Sequence, residues 1–173
     1  MFAGSVYAQT PQKVYETKLA LRDLYVHHIY WVRNLVIATK FGDKKFAEIA
    51  DKKAVENARA LGEAIVPFYG KEAGDKLFNL FAGHYNAIKD YLNAKSDKEK
   101  QTAVDKLNKN AEEIATFLSS ANPNLPKDAV LSLLKTHGGH HIAQIDAVKS
   151  GDFEREAQVW EAMVKHIYTI SDA

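Results

Sequence analysis

The sequence contains no cysteine, and this absence excludes several kinds of site at once. Disulfide bonds, metal sites built from thiolates, a cysteine nucleophile and covalent haem attachment through Cys-x-x-Cys-His all need this residue. P-loop, Gly-x-Gly-x-x-Gly, Gly-x-Ser-x-Gly and His-Glu-x-x-His motifs are missing as well. The sequence therefore carries none of the common signatures of nucleotide-binding proteins, serine hydrolases or zinc proteases.

An excess of one charge and a long apolar run are also missing. Lys and Arg number 23 against 22 Asp and Glu, for a net charge of +1, so nothing marks a nucleic-acid-binding surface. The sequence contains no run of about 18 apolar residues, so it predicts no membrane-spanning helix. The length of 173 residues, with 46% hydrophobic residues, fits one globular domain. Whether copies of the chain associate is left open.

Helix-breaking residues are few, with only four prolines and nine glycines. Between them, apolar residues recur at spacings of three and four, a period that predicts helices and no strands. Asp43 and Ser96 are suited to cap helix N-termini. Six helices are expected, over about residues 11–40, 43–69, 72–94, 96–120, 126–149 and 153–171. Short loops favour antiparallel neighbours, so we expect an all-α, up-down bundle over residues 11–173.

Weak self-similarity groups these helices into three hairpins, at about 11–69, 71–120 and 126–171. The first helix of each hairpin carries a Leu-x-x-x-His motif, which ends at His28, His84 or His137. Each histidine lies roughly 21 Å from the turn of its hairpin, at the same height as a polar residue of the second helix. The expected pairs are His28–Asn57, His84–Asn110 and His137–His166.

These polar residues lie on apolar stripes, which are expected to face the bundle core. A transition metal needs three or four ligands, and imidazole suits zinc, copper, iron and nickel. The candidate ligands are His28, His84, His137 and His166. His141 follows His137 at i+4 on the same face and is a reserve ligand. Asn57 and Asn110 would orient the imidazoles of His28 and His84 by hydrogen bonds.

Other functions remain open for this layer of histidines and asparagines. It could bind a small polar ligand, hold non-covalent haem on His28 or His137, or serve only as core packing in a structural or interaction protein. Histidines could also act as acid and base in an enzyme near neutral pH, although a non-catalytic binding protein is favoured. A di-iron site is disfavoured because these helices carry no Glu-x-x-His motif and the nearby acidic residues, Glu63, Glu112 and Glu113, fall on polar faces. Arg33 is a candidate contact for an anion.

The first ten residues, MFAGSVYAQT, have a composition unlike the charged helix that follows. Val6 and Ala8 fit the −3 and −1 positions of a signal-peptidase site. We therefore expect residues 1–10 to be the remnant of a signal peptide, with an ordinary disordered start as the alternative. The first interpretation predicts export, to a periplasm or beyond, and the second leaves a cytoplasmic protein.

Three segments resemble a family of small all-helical bacterial proteins that are common in spore formers. They are residues 24–33 (LYVHHIYWVR), 110–123 (NAEEIATFLSSANP) and 136–152, and the resemblance covers most of the chain after about Leu21. The family motifs are His-x-x-Trp-Thr-Arg and Asn-Ala-x-x-Ile-Ala-x-Phe-Leu-Ser, and Val32 stands here in place of the threonine.

The resemblance implies a helical bundle that carries histidines at positions 28, 84, 137 and 166. It implies no activity, because the family has none assigned. Its members are often labelled glycosyltransferases or acetylglutamate kinases. Those activities need α/β folds or nucleotide-binding loops that this sequence does not contain.

Overall fold

The computed structural model describes residues 11–173. Within this range six long helices and one single turn follow one another, with no strand among them. They are α1 Pro11–Phe41, α2 Lys44–Ala64, α3 Val66–Tyr69, α4 Lys71–Asn93, α5 Asp97–Ala121, α6 Lys127–Ser150 and α7 Phe153–Asp172. The all-α prediction is confirmed. The expected signal-peptide remnant at residues 1–10 lies outside the described range.

The helix ends lie where the cap residues predicted them. The Asp43 carboxylate accepts a hydrogen bond from the Phe46 amide at 2.9 Å, and the Ser96 hydroxyl accepts one from the Glu99 amide at 3.2 Å. Gly151 ends α6 with φ of 82°, a left-handed conformation that glycine adopts without a Cβ clash. These local bonds satisfy backbone groups that helix termini leave free, so each hairpin turn is fixed by its own sequence.

The second helix is shorter than the sequence predicted. It was expected to continue to Tyr69, but α2 ends at Ala64 and the separate turn α3 follows. Pro67 explains the break, because proline has no amide hydrogen and its ring would clash with the carbonyl of Glu63, four residues earlier. The other boundaries differ from the prediction by at most one residue.

The long helices form a closed ring in which each packs against its neighbours in the chain, and α7 returns to pack against α1. Helix α6 also contacts α1 and α4 across the ring. The first helices of the three predicted hairpins, α1, α4 and α6, thus meet in the interior. None of the described helices is long and apolar enough to cross a membrane.

The core is divided along the bundle axis. Near the three hairpin turns, aliphatic and aromatic side chains such as Val36, Ile88 and Val148 pack tightly and are nearly inaccessible to solvent. Toward the opposite end, Ile114 and Leu134 belong to a separate apolar cluster between α5 and α6. The predicted histidine positions fall between these two apolar regions.

Candidate metal centre

Four histidines converge in the middle of the bundle. His28 comes from α1, His84 from α4, and His137 and His141 both come from α6. None is more than 8% exposed, and His141 is fully buried. One nitrogen from each ring can be chosen so that all four lie within 4.8 Å of one another. We call this group the four-histidine cluster.

The four rings surround a common point rather than lying in a plane. Their six centroid separations all fall between 4.5 and 6.2 Å. In a square, the two diagonal separations would be about 1.4 times as long as the four sides. No two separations stand out in this way, so the ring centroids occupy the corners of a distorted tetrahedron. The Nε2 atoms of His137 and His141 are 3.1 Å apart. In a tetrahedral zinc site with four imidazoles, ligand nitrogens are separated by roughly 3.3 Å.

Burial keeps the cluster in its neutral form. It lowers the pKa of His28 to about 3, with a further contribution from the nearby His84. It also lowers the pKa of His84 to about 4. The pKa values of His137 and His141 fall well below the usual range for the same reason and because the other rings are close. Neutral imidazole is the form that binds metals.

Several ring nitrogens in the cluster have no hydrogen-bond partner among the described residues. They are both nitrogens of His84 and the Nδ1 atoms of His137 and His141. Buried polar groups are nearly always hydrogen-bonded, and each exception costs about 1–3 kcal/mol. The cluster is therefore a poorly satisfied polar layer when only protein atoms are considered.

The asparagines contact the backbone rather than the rings. Asn57 and Asn110 donate from Nδ2 to main-chain carbonyls one helical turn before His28 and His84. His166 makes the equivalent contact from Nε2. The three bonds are Asn57–Leu24 at 2.9 Å, Asn110–Leu80 at 2.9 Å and His166–Leu133 at 2.8 Å. Each second helix is thus tied to the first helix of its hairpin at the level of the cluster. Whether the hairpins are true repeats stays a prediction.

The sequence predicted His166 as a metal ligand. In the structure it lies outside the four-histidine cluster. Its Nε2 is occupied by the Leu133 carbonyl at 2.8 Å, and its ring lies 5.4 Å from that of His140. His141, the reserve ligand, takes its place.

Arg33 does not present a free anion site. Its guanidinium forms two hydrogen bonds with the Glu156 carboxylate, at 2.6 and 2.7 Å, and lies over the Trp160 ring. Gln144 donates to the same carboxylate at 3.0 Å. The Arg33 hydrogen bond lowers the pKa of Glu156. The anion that Arg33 contacts is therefore a buried side chain of the protein itself.

Sequence reasoning missed this buried ion pair, although a signal was present. Glu156 precedes Val159 and Met163 at helical spacing, so it lies on the buried stripe of α7. The acidic residues that the sequence assigned to polar faces are indeed exposed. They are Glu63, Glu112 and Glu113. Among the described residues, the one group of side chains that could hold a metal ion contains histidines alone.

The four-histidine cluster, with no carboxylate or thiolate in it, is thus the feature that any functional interpretation has to explain. Comparison of the chain with protein-family models, with curated proteins and with solved structures finds no match.

Proposed function

We propose that the protein binds one transition-metal ion through the imidazoles of His28, His84, His137 and His141. The observation that carries this proposal is the convergence of four buried, neutral rings whose nitrogens lie within 4.8 Å of one another. An ion at the centre would accept one lone pair from each ring. It would thereby compensate part of the cost of the unpartnered nitrogens.

Zinc is the ion that the geometry favours among zinc, copper, iron and nickel. Zinc accepts tetrahedral coordination readily, whereas Cu(II) and Ni(II) prefer square or tetragonal arrangements. Only movements of up to about 1.5 Å would bring nitrogens that are 4.8 Å apart to tetrahedral spacing. Copper is the competitor, because nitrogen ligands generally bind Cu(II) more tightly than Zn(II).

Binding rather than catalysis is the proposed role. Four protein ligands complete a tetrahedral shell, as in structural zinc sites, whereas catalytic sites keep one position open for water or substrate. The cluster also lacks a carboxylate that could serve as a general base. Export and membership of the resembling bacterial family remain predictions that accompany this proposal.

Elemental analysis of the protein purified without an affinity tag tests the proposal directly. We expect one equivalent of metal per chain and a lower melting temperature after removal with a chelator. Metal-free protein is then titrated separately with zinc, Cu(I), Cu(II), Fe(II) and nickel. A single-site titration that restores the melting temperature supports the proposal.

A matched pair of variants locates the site. His84→Ala removes a cluster ligand, and it should abolish the chelator-sensitive part of the stability. His27→Ala removes an exposed histidine of α1 and should leave that part unchanged. If the purified protein contains no metal and no added ion changes its melting temperature, the metal site is excluded. The layer is then core packing or a pocket for an organic ligand.

A further inference from the structure

An apolar chamber of about 180 Å³ occupies the end of the bundle that lies opposite the three hairpin turns. All six long helices contribute to its wall, including α4 through Leu77, α5 through Leu118 and α6 through Val130. Protein interiors rarely leave spaces much larger than a water molecule. The chamber is therefore too large to be an ordinary packing defect.

The lining of the chamber selects against ions. No Asp, Glu, Lys or Arg side chain of the described residues lines it. Its polar side chains are the phenols of Tyr25 and Tyr69, the Asn122 amide and the Ser171 hydroxyl. The remaining side chains of the wall are aliphatic or aromatic. Such a surface favours an uncharged and mainly apolar ligand, because a charged group would lose its hydration without gaining a partner.

The chamber can be reached from solvent. Tyr69 on one side of it is 44% exposed. Asn122 lies in the loop between α5 and α6, and it is only half-buried. Partly exposed residues thus stand on two sides of the chamber, at the loop that joins α5 to α6 and at the turn that joins α2 to α4. A ligand could thus enter at the end of the bundle without separating the helices.

The inner wall of the chamber faces the four-histidine cluster. Tyr25, Phe81 and Leu134 line both the chamber and a second cavity of about 20 Å³. That smaller cavity is also lined by His28, His84 and His137, and it can hold about one water molecule. The rings of Tyr25 and Phe81 meet edge to face at 6.5 Å in the shared wall. A ligand in the chamber would therefore share part of its wall with the small cavity that borders the histidines.

We propose that the chamber is a binding site for an uncharged apolar molecule about the size of a single alkyl-substituted aromatic ring. A cavity of about 150 Å³ lined by leucine, isoleucine and phenylalanine accepts benzene. A volume of 180 Å³ accommodates a ring with a short substituent. This site depends on the apolar lining alone, so ligand binding in the chamber does not require metal binding at the histidines.

Toluene is a suitable probe of this site. The full chain, labelled with ¹³C in its Leu and Val methyl groups, is titrated with toluene and followed by NMR. We expect saturable shifts of the Leu118 and Leu125 methyl signals and none for Val148, which lies in the core at the opposite end. Benzoate has a similar size but carries a charge, and it should cause no shift. Absence of saturable shifts, or equal shifts with benzoate, overturns the proposal.

Filling the chamber provides the matched test. Leu118→Trp places a larger ring in the space and should abolish the toluene-induced shifts at Leu125. Ile49→Trp adds the same ring at a position of α2 that is 45% exposed, and toluene binding should persist. If Leu118→Trp does not fold, Leu125→Trp, at the loop side of the wall, replaces it. Toluene binding that survives in a folded chamber-filling variant contradicts the assignment.

Discussion

His137 and His141 stand one helical turn apart on α6, and their Nε2 atoms lie 3.1 Å from each other. A spacing of i, i+4 places two side chains on the same face of a helix, so one helix supplies half of the cluster. The other half comes from His28 and His84, one from each of the two helices that α6 contacts across the ring. The four rings therefore come together only when α1, α4 and α6 pack correctly, so the cluster should be present only in the natively folded protein.

Replacement of His141 or of His166 distinguishes the observed cluster from the one predicted by sequence. His141→Ala removes a ring that lies within 5.4 Å of His28 and should abolish binding of one metal equivalent. His166→Ala removes a ring bound to the Leu133 carbonyl and should leave the stoichiometry at one, with a stability loss of about 1 kcal/mol. Metal titration monitored by calorimetry measures the stoichiometry of both variants, and urea denaturation measures the stability loss of His166→Ala. Retention of full binding by His141→Ala would refute the ligand set.

Acid should destabilise the metal-free protein well above the pH at which carboxylates titrate. The folded-state pKa values of His28 and His84 are lowered to about 3 and 4, while an unfolded histidine titrates near 6.5. The unfolded state therefore binds more protons as the pH falls below 6.5, and stability is lost until the folded-state pKa is reached. Between pH 6.5 and pH 5 the expected loss is about 1.6 kcal/mol for each of the two histidines.

Urea denaturation of the metal-free protein between pH 7.5 and pH 4.5 measures this effect. His84→Leu removes one titrating ring and should make the free energy of unfolding less dependent on pH, whatever its effect at pH 7.5. His27→Leu, on the exposed side of α1, is the control and should keep the slope of the wild type. A free energy of unfolding that is constant over this range would show that the rings are solvated.

Sequence reasoning predicted the helices and the height of each histidine, because periodicity and caps are local properties. It did not predict how far His166 lies from the centre of the bundle. Counting residues from a turn gives a height along the helix axis, but not the distance from the centre of the bundle. His166 lies on a second helix, like Asn57 and Asn110, and all three donate a hydrogen bond to the backbone of the neighbouring first helix. His141 lies on an inner helix beside His137, so it reaches the centre.

The hydrogen bond from Asn110 to the Leu80 carbonyl should stabilise the second predicted hairpin. Asn110 is only 8% exposed, and its removal would take from the Leu80 carbonyl a donor that water cannot easily replace. Asn110→Ala should lower the free energy of unfolding by about 1–2 kcal/mol. Asn108→Ala makes the same chemical change on the exposed face of α5, and its effect should stay within about 0.5 kcal/mol. Urea denaturation at pH 7.5 compares them, and equal losses would argue against a structural role for the bond.

Breaking the ion pair between Arg33 and Glu156 should cause a loss of stability that becomes smaller as the pH falls. Arg33→Met leaves the Glu156 carboxylate buried with Gln144 as its remaining partner, which should cost about 2–4 kcal/mol at pH 7. The lower part of this range applies because the Arg33 side chain is 31% exposed. Without the guanidinium, the pKa of Glu156 rises, and the carboxyl becomes protonated in the folded state at a higher pH. The deficit relative to the wild type should therefore shrink as the pH falls toward 5.

Two further variants separate charge from packing at this pair. Glu156→Gln keeps the size of the side chain and should cost less than Arg33→Met, because a neutral amide is cheaper to bury than an unpaired carboxylate. Arg155→Met changes an exposed arginine on α7 and should alter the free energy of unfolding by no more than about 0.5 kcal/mol. If Arg33→Met and Arg155→Met are equally stable at pH 7, the carboxylate must reach another partner or water. The ion pair would then contribute nothing to the packing of α7 against α1.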